Sequence, residues 1–194
     1  MSTLFAVLVP LSTRVTRAQR FAAAREAVGE ALRASAERAG APRSLPCERW
    51  PRAESGAPAV VRGWHASFAD TTGLVVALVA RTPLALDCEW LRRPRWEAAR
   101  AHLAETGERA EVGSEERDEV LAAWVAKESI LKLAGVGLAE LSRCRIVGRT
   151  PEGFRLAHRG EERVAHVAVL GAHVVAWSGA RADSLRFHAL EPAT

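Results

Sequence analysis

The sequence predicts an α+β protein of two similar halves joined near Pro83–Arg95, and three observations carry that expectation. A chain of 194 residues can bury a core without disulfides or a structural metal. Its composition, 48% hydrophobic and 26% charged, is that of a globular domain and excludes a mostly disordered chain. Its periodic segments run strand, helix, strands, and then helix, helix, strands.

Leu4–Val9 reads as a strand ended by Pro10, which has no N–H to give a ladder. Met1–Pro10 is apolar but short, has no basic start and lacks a convincing cleavage site, so a strand and not a signal peptide is expected there. Phe21, Ala24, Val28, Leu32 and Ala36 recur at helical spacing and predict a helix from Arg17 to Ala39, stopped by Gly40 and Pro42. Arg43–Pro58 is polar and rich in Pro and Gly, hence mostly loop. Trp64–Phe68 is a strand, Asp70–Gly73 a turn, Leu74–Ala80 a strand, Arg81–Pro83 a turn and Leu84–Glu89 a short strand. A helix from Arg95 to Glu105 ends at Gly107. Ser114 is the expected N-cap of the next, with Glu115 and Glu116 in its first turn and Gly135-Val136-Gly137 past its end near Ala134. Strands follow at Arg145–Val147, Phe154–Ala157, Arg163–Leu170 and His173–Ser178, with a short one near Phe187; Gly153 and Gly171 mark turns.

The longest apolar run, Gly73–Ala80, is far short of the roughly 20 residues a membrane span needs. Cys47, Cys88 and Cys144 are odd in number and show no CxxC spacing, so neither a zinc cluster nor a disulfide framework is expected, and a reducing, cytoplasmic compartment is. The net charge of +4 suits an acidic partner. Of 27 basic residues 25 are Arg and two are Lys, and the two are Lys127 and Lys132. Two stray lysines would rarely land five positions apart; a site that needs a compact ammonium rather than a guanidinium fork explains the pairing.

On a helix turning about 100° per residue, Leu121, Trp124, Val125 and Leu131 lie within roughly 60° of Glu128, as do Lys132 and Gly135. Glu128 is therefore expected near the centre of an apolar face, where a carboxylate is costly unless a cation or strong donors meet it. Two answers are open: an internal ion pair with Lys132 or an Arg, or a bound cation. In Leu84–Trp90, Asp87 and Glu89 project from one strand face. With Glu128 they make three carboxylates, expected to converge with no cation of the chain facing them. An oxygen-only set of this number suits Mg²⁺ completed by substrate phosphates, which Lys132, one turn from Glu128, can also reach.

Asp87-Cys88-Glu89, Trp124-Val125-Ala126-Lys127-Glu128-Ser129-Ile130-Leu131-Lys132 and the following Leu133–Leu138 together resemble the signature of the 4′-phosphopantetheinyl transferases. The resemblance runs from about Leu74 to Leu138 and is to the monomeric subtype acting on polyketide and nonribosomal peptide synthases. It implies a pseudo-dimer of two halves, each a small, mainly antiparallel sheet packed with helices, here residues 1–83 and 84–194. It also implies transfer of 4′-phosphopantetheine from coenzyme A, the co-substrate, to a serine of an acyl or peptidyl carrier protein. Asp87, Glu89 and Glu128 match the residues that hold Mg²⁺, and Lys132 the residue that contacts the pyrophosphate; Glu128 and Lys132 would serve catalysis. Lys127 either meets the coenzyme or pairs with a carboxylate.

Two positions depart from the family's pattern. The histidine expected before a strand falls on Asp70, the wrong charge for the coenzyme's 3′-phosphate, and the lysine of a Gly-Lys-Pro loop is Ala57. Arg14, Arg17 and Arg20, at the first helix, are the nearest replacements; they also read as a solvated face. Two further functions stay open: a non-catalytic relative that binds a carrier protein, favoured by Asp70 and Ala57, and a basic nucleic-acid-binding module, for which no motif is present. The six histidines show no metal spacing.

Overall fold

The structure, a computed structural model, describes residues 4–12, 17–54, 56–93, 96–113, 116–179 and 184–190, with the side chains of residues 17–21 outside that description. It is α+β, with two sheets. The chain divides into two compact units, Met1–Leu84 with Ala180–Thr194, and Ala85–Gly179.

The first unit is a four-stranded sheet with one long helix. Its strands are β1 (Leu4–Pro10), β2 (His65–Thr71), β3 (Leu74–Ala80) and a C-terminal strand, Leu185–Ala189, which is β9 of the whole chain. The order is β2-β3-β1-β9, with β1 antiparallel to β3 and parallel to β9. β3 is buried along its whole length, which is why it reads as an unbroken apolar run rather than an alternating one. The helix α1 (Arg17–Arg38) lays Ala24, Ala27, Ala31 and Leu32 against Val7, Val75, Ala77 and Val79. Buried Ser35 ties it to the sheet, donating to the Phe5 carbonyl at 2.8 Å and accepting from the Val79 amide at 2.8 Å.

The second unit holds β4 (Leu84–Trp90), α2 (Trp96–Glu105), α3 (Arg109–Val112), α4 (Arg117–Leu133), β5 (Arg145–Thr150), β6 (Gly153–His158), β7 (Glu161–Leu170) and β8 (His173–Gly179). Its sheet runs β4-β8-β7-β6-β5. β5 to β8 form an antiparallel meander, and β4 joins beside β8. Leu121, Val125, Ile130 and Leu131 of α4 pack on Phe154, Leu156, Ala165, Val174 and Ala176. Gly153 opens β6 where a Cβ would stand 2.2 Å from the Ala165 carbonyl oxygen, so no larger residue fits that turn.

Four expectations change. The last strand does not belong to the second half: its pairing with β1 returns it to the first unit, so the division 1–83 and 84–194 is replaced. Asp70 and Thr71 are the end of β2 and not of a turn, since they pair with Val75 and Leu74. α3, ended by Gly113 in the left-handed region, had no sequence signal in four residues. α4 begins at Arg117 with Glu116 as N-cap and no side-chain cap; Ser114, the expected cap, lies outside the described residues, as does Arg95.

Candidate functional site

The residues singled out in the second unit come from β4 and α4. The Gly-Val-Gly run after α4 closes it in a Schellman motif. Gly135 has φ of +68°, its N–H donates to Lys132 O at 3.1 Å, and the Val136 N–H donates to Leu131 O at 3.0 Å. The last turn of the helix, which carries Lys132, is thereby fixed.

Lys132 Nζ donates to Asp87 Oδ1 at 2.6 Å and to the Leu86 carbonyl at 3.3 Å. Asp87 is buried, while the Lys132 side chain is 39% accessible. Crowding around the ammonium acts to lower its pKa; the charge and hydrogen bond of Asp87 outweigh this and hold it above the ordinary lysine value. Glu128 is half-buried, and its carboxyl is hydrogen-bonded with that of Asp87. Burial first, then this hydrogen bond and the Asp87 charge, push Glu128 well above the carboxylate range, against the pull of Lys132. Glu89 is ion-paired with Arg93, four residues on, and adds to the negative field on Glu128.

This geometry corrects two expectations. Cations of the chain do face the carboxylates: Lys132 on Asp87 and Arg93 on Glu89. Arg93 was missed because a basic residue in the Arg92-Arg93-Pro94-Arg95 stretch carries no periodic signal. Glu128 is also not the charge at the centre of the core. That place belongs to Lys127, whose side chain is wholly inaccessible.

Lys127 Nζ donates to Glu108 Oε2 at 2.5 Å and lies 3.3 Å from His102 Nε2. Glu108 is equally enclosed. Its Oε1 accepts from the Ile146 amide at 2.5 Å, and its Oε2 also accepts from Thr106 Oγ1. Burial lowers the Lys127 pKa and Glu108 opposes the shift. A contact of Lys127 with a coenzyme is thus corrected: of the two expected roles, the paired one holds, because the ammonium has no accessible surface. His102, edge-on to Trp124 with centroids 5.8 Å apart, is also held below its ordinary pKa, by burial and then by Lys127.

Of the three expected metal ligands, Asp87 and Glu89 leave one face of β4, and Glu128 feels the charge of both. Among the described residues, no three His, Cys, Asp or Glu side chains stand together as a ready ligand set. The donor chemistry fits a hard divalent cation, since all three candidates are carboxylates. Arg17 and Arg20 lie on α1 with side chains outside the description, and Arg14 lies outside the described residues. Asp70 is exposed on β2, and Ala57 sits beside Pro58, which bridges to Arg52. The three cysteines are free and buried, and no described helix is long and apolar enough to cross a membrane. No protein-family model matches the chain, and no curated protein is significantly similar to it.

Proposed function

We propose that the chain is a Mg²⁺-dependent 4′-phosphopantetheinyl transferase of pseudo-dimeric fold, monomeric and cytoplasmic. It would move phosphopantetheine from coenzyme A to a serine of an acyl or peptidyl carrier protein. One observation carries the reading: the Lys132 ammonium meets Asp87 at 2.6 Å, which brings the end of α4 to β4 on the same residues that resemble the family's signature. Lys132 offsets the charge of Asp87 and Arg93 that of Glu89, which leaves Glu128 as the carboxyl that an oxygen-seeking divalent cation would neutralise. Asp87, Glu89 and Glu128 would hold Mg²⁺, which when bound offsets charge growing on the leaving phosphate. Lys132 supplies a compact positive charge to the same phosphates. Glu128, ionised when the cation is bound, or a water held at the site would take the proton of the carrier serine as its oxygen bonds to the pantetheine-side phosphorus and adenosine 3′,5′-bisphosphate leaves.

A second reading, a relative that binds a carrier protein without transferring anything, is favoured by exposed Asp70, which repels a 3′-phosphate. Thermal melting separates ligand binding from its loss. Coenzyme A with Mg²⁺ should raise the melting temperature, and Mg²⁺ alone should change it little. An unmoved curve at millimolar ligand counts against the transferase.

A further inference from the structure

α4 carries two charged contacts on adjacent residues, aimed about 100° apart. Glu128 turns toward Asp87 on β4. Lys127 turns into the core, where the Glu108 carboxylate joins three pieces of the unit: its own segment after α2, α4 through Lys127 Nζ at 2.5 Å, and β5 through the Ile146 amide at 2.5 Å. Both Glu108 oxygens are occupied, and its own amide donates to Leu103 O at 2.8 Å, so the carboxylate has a fixed place.

A wholly enclosed ion pair is a poor source of stability, because desolvation cancels most of its attraction; an apolar pair of the same shape does as well or better. What it does supply is direction. The ammonium meets this carboxylate at 2.5 Å and the His102 ring at 3.3 Å, both from the α2 side, and these two contacts add a polar constraint on the rotation that the apolar packing of α4 allows. A carboxylate standing about 6 Å from the axis moves by roughly 2 Å for a 20° turn of the helix. Misplacement of about 1 Å can cost a hundredfold in a reacting site. The chain's only two lysines also fall into place. Lys132 reaches the site, and Lys127 occupies a closed space that suits a compact ammonium and not a guanidinium fork.

We infer that Lys127 and Glu108 are positioning residues, whose enclosed pair sets the rotation of α4 and thereby aims Glu128 and Lys132 at Asp87. The inference rests on the transferase reading for what the aimed groups do.

The test uses the full chain with Mn²⁺ in place of Mg²⁺ and coenzyme A present, reading Mn²⁺ binding by electron paramagnetic resonance beside a thermal melt. The variant is Glu108→Gln with Lys127→Met, which removes both charges of the pair; Arg145, 3.9 Å from Glu108 Oε1, is half-exposed and turns to water, and His102 loses its 3.3 Å contact with Lys127. It should melt cooperatively near the wild-type temperature and yet bind Mn²⁺ at least about tenfold more weakly. A pair that only stabilises would leave Mn²⁺ affinity at the wild-type value in the folded variant, and that result overturns the inference while the transferase reading stands. Wild-type protein that binds no Mn²⁺ overturns both. Should the double variant fail to fold, Lys127→Arg, which keeps the charge but not the shape, takes its place with the same two outcomes.

Discussion

Lys132 and Asp87, 45 residues apart in sequence, meet at 2.6 Å and join the last turn of α4 to β4. The contact holds an ammonium against a carboxylate that also shares a hydrogen bond with Glu128. Three ionisable groups from two elements thus lean on one another where a core would be more stable without them. Such an arrangement costs stability and is retained where charge has work to do.

Glu128→Gln should separate stability from activity. The amide keeps the shape and the hydrogen bond while removing the ionisation that burial opposes. The folded pKa lies above the unfolded 4.5, so as pH rises past 4.5 the unfolded state releases this proton more readily and stability is lost. The variant should match wild type at pH 4 and gain on it as pH rises, by at most about 1.4 kcal/mol per pH unit. Transfer should fall by about two orders of magnitude or more. Chemical denaturation across pH 4–9 reads the first effect; equal pH slopes in the two proteins would refute the assignment.

Lys132→Arg should preserve the fold and cut transfer by about a hundredfold, because the planar fork cannot stand as a point charge at the same spot. The change is made at a partly exposed position, so unfolding should move little. A silent substitution would remove the significance of the two retained lysines.

Lys127→Met alone leaves the enclosed Glu108 carboxylate with only the half-exposed Arg145 guanidinium, 3.9 Å from Oε1, and should destabilise by about 3 kcal/mol, whereas the double change with Glu108→Gln should recover most of that loss. Equilibrium urea unfolding of the single and double variants checks it; additive losses would mean that the two charges are not coupled in the folded protein.

His102 gives the unit a pH dependence of opposite sign to that of Glu128. Burial and Lys127 hold its folded pKa below 6.5, so the unfolded state takes up the proton first. Stability from this residue is present above pH 6.5 and is lost as pH falls from there toward the folded pKa. His65, also lowered by burial, contributes with the same sign, so the comparison is between wild type and His102→Gln rather than within one protein. Denaturation at pH 5 and pH 7.5 should show a smaller loss in the variant; an identical loss would place His102 outside the effect.

Elements set by local patterns were legible in the sequence. β3 reads from its apolar run, α1 from its spacing and Gly40, and the end of α4 from Gly135. Asp87 and Glu89 were found because two positions on a strand share a face whatever surrounds it. The ranking of Lys127 and Glu128 was not legible: α4 is covered on nearly every side, and a helical wheel orders directions but not depths. Glu108 gave no signal, since it follows Gly107 in a charged stretch and gains its meaning only when α4 and β5 close over it. The return of β9 to β1 is a pairing across most of the chain, which no local pattern records.

The account stands most directly on the mass of a carrier protein after incubation with this chain, coenzyme A and Mg²⁺. It predicts a covalent gain of one phosphopantetheine arm on the carrier serine, with adenosine 3′,5′-bisphosphate released, and none with the Glu128→Gln variant. Carrier proteins of polyketide, nonribosomal peptide and fatty acid synthases that all keep their apo mass, while the chain binds coenzyme A or carrier, would contradict it.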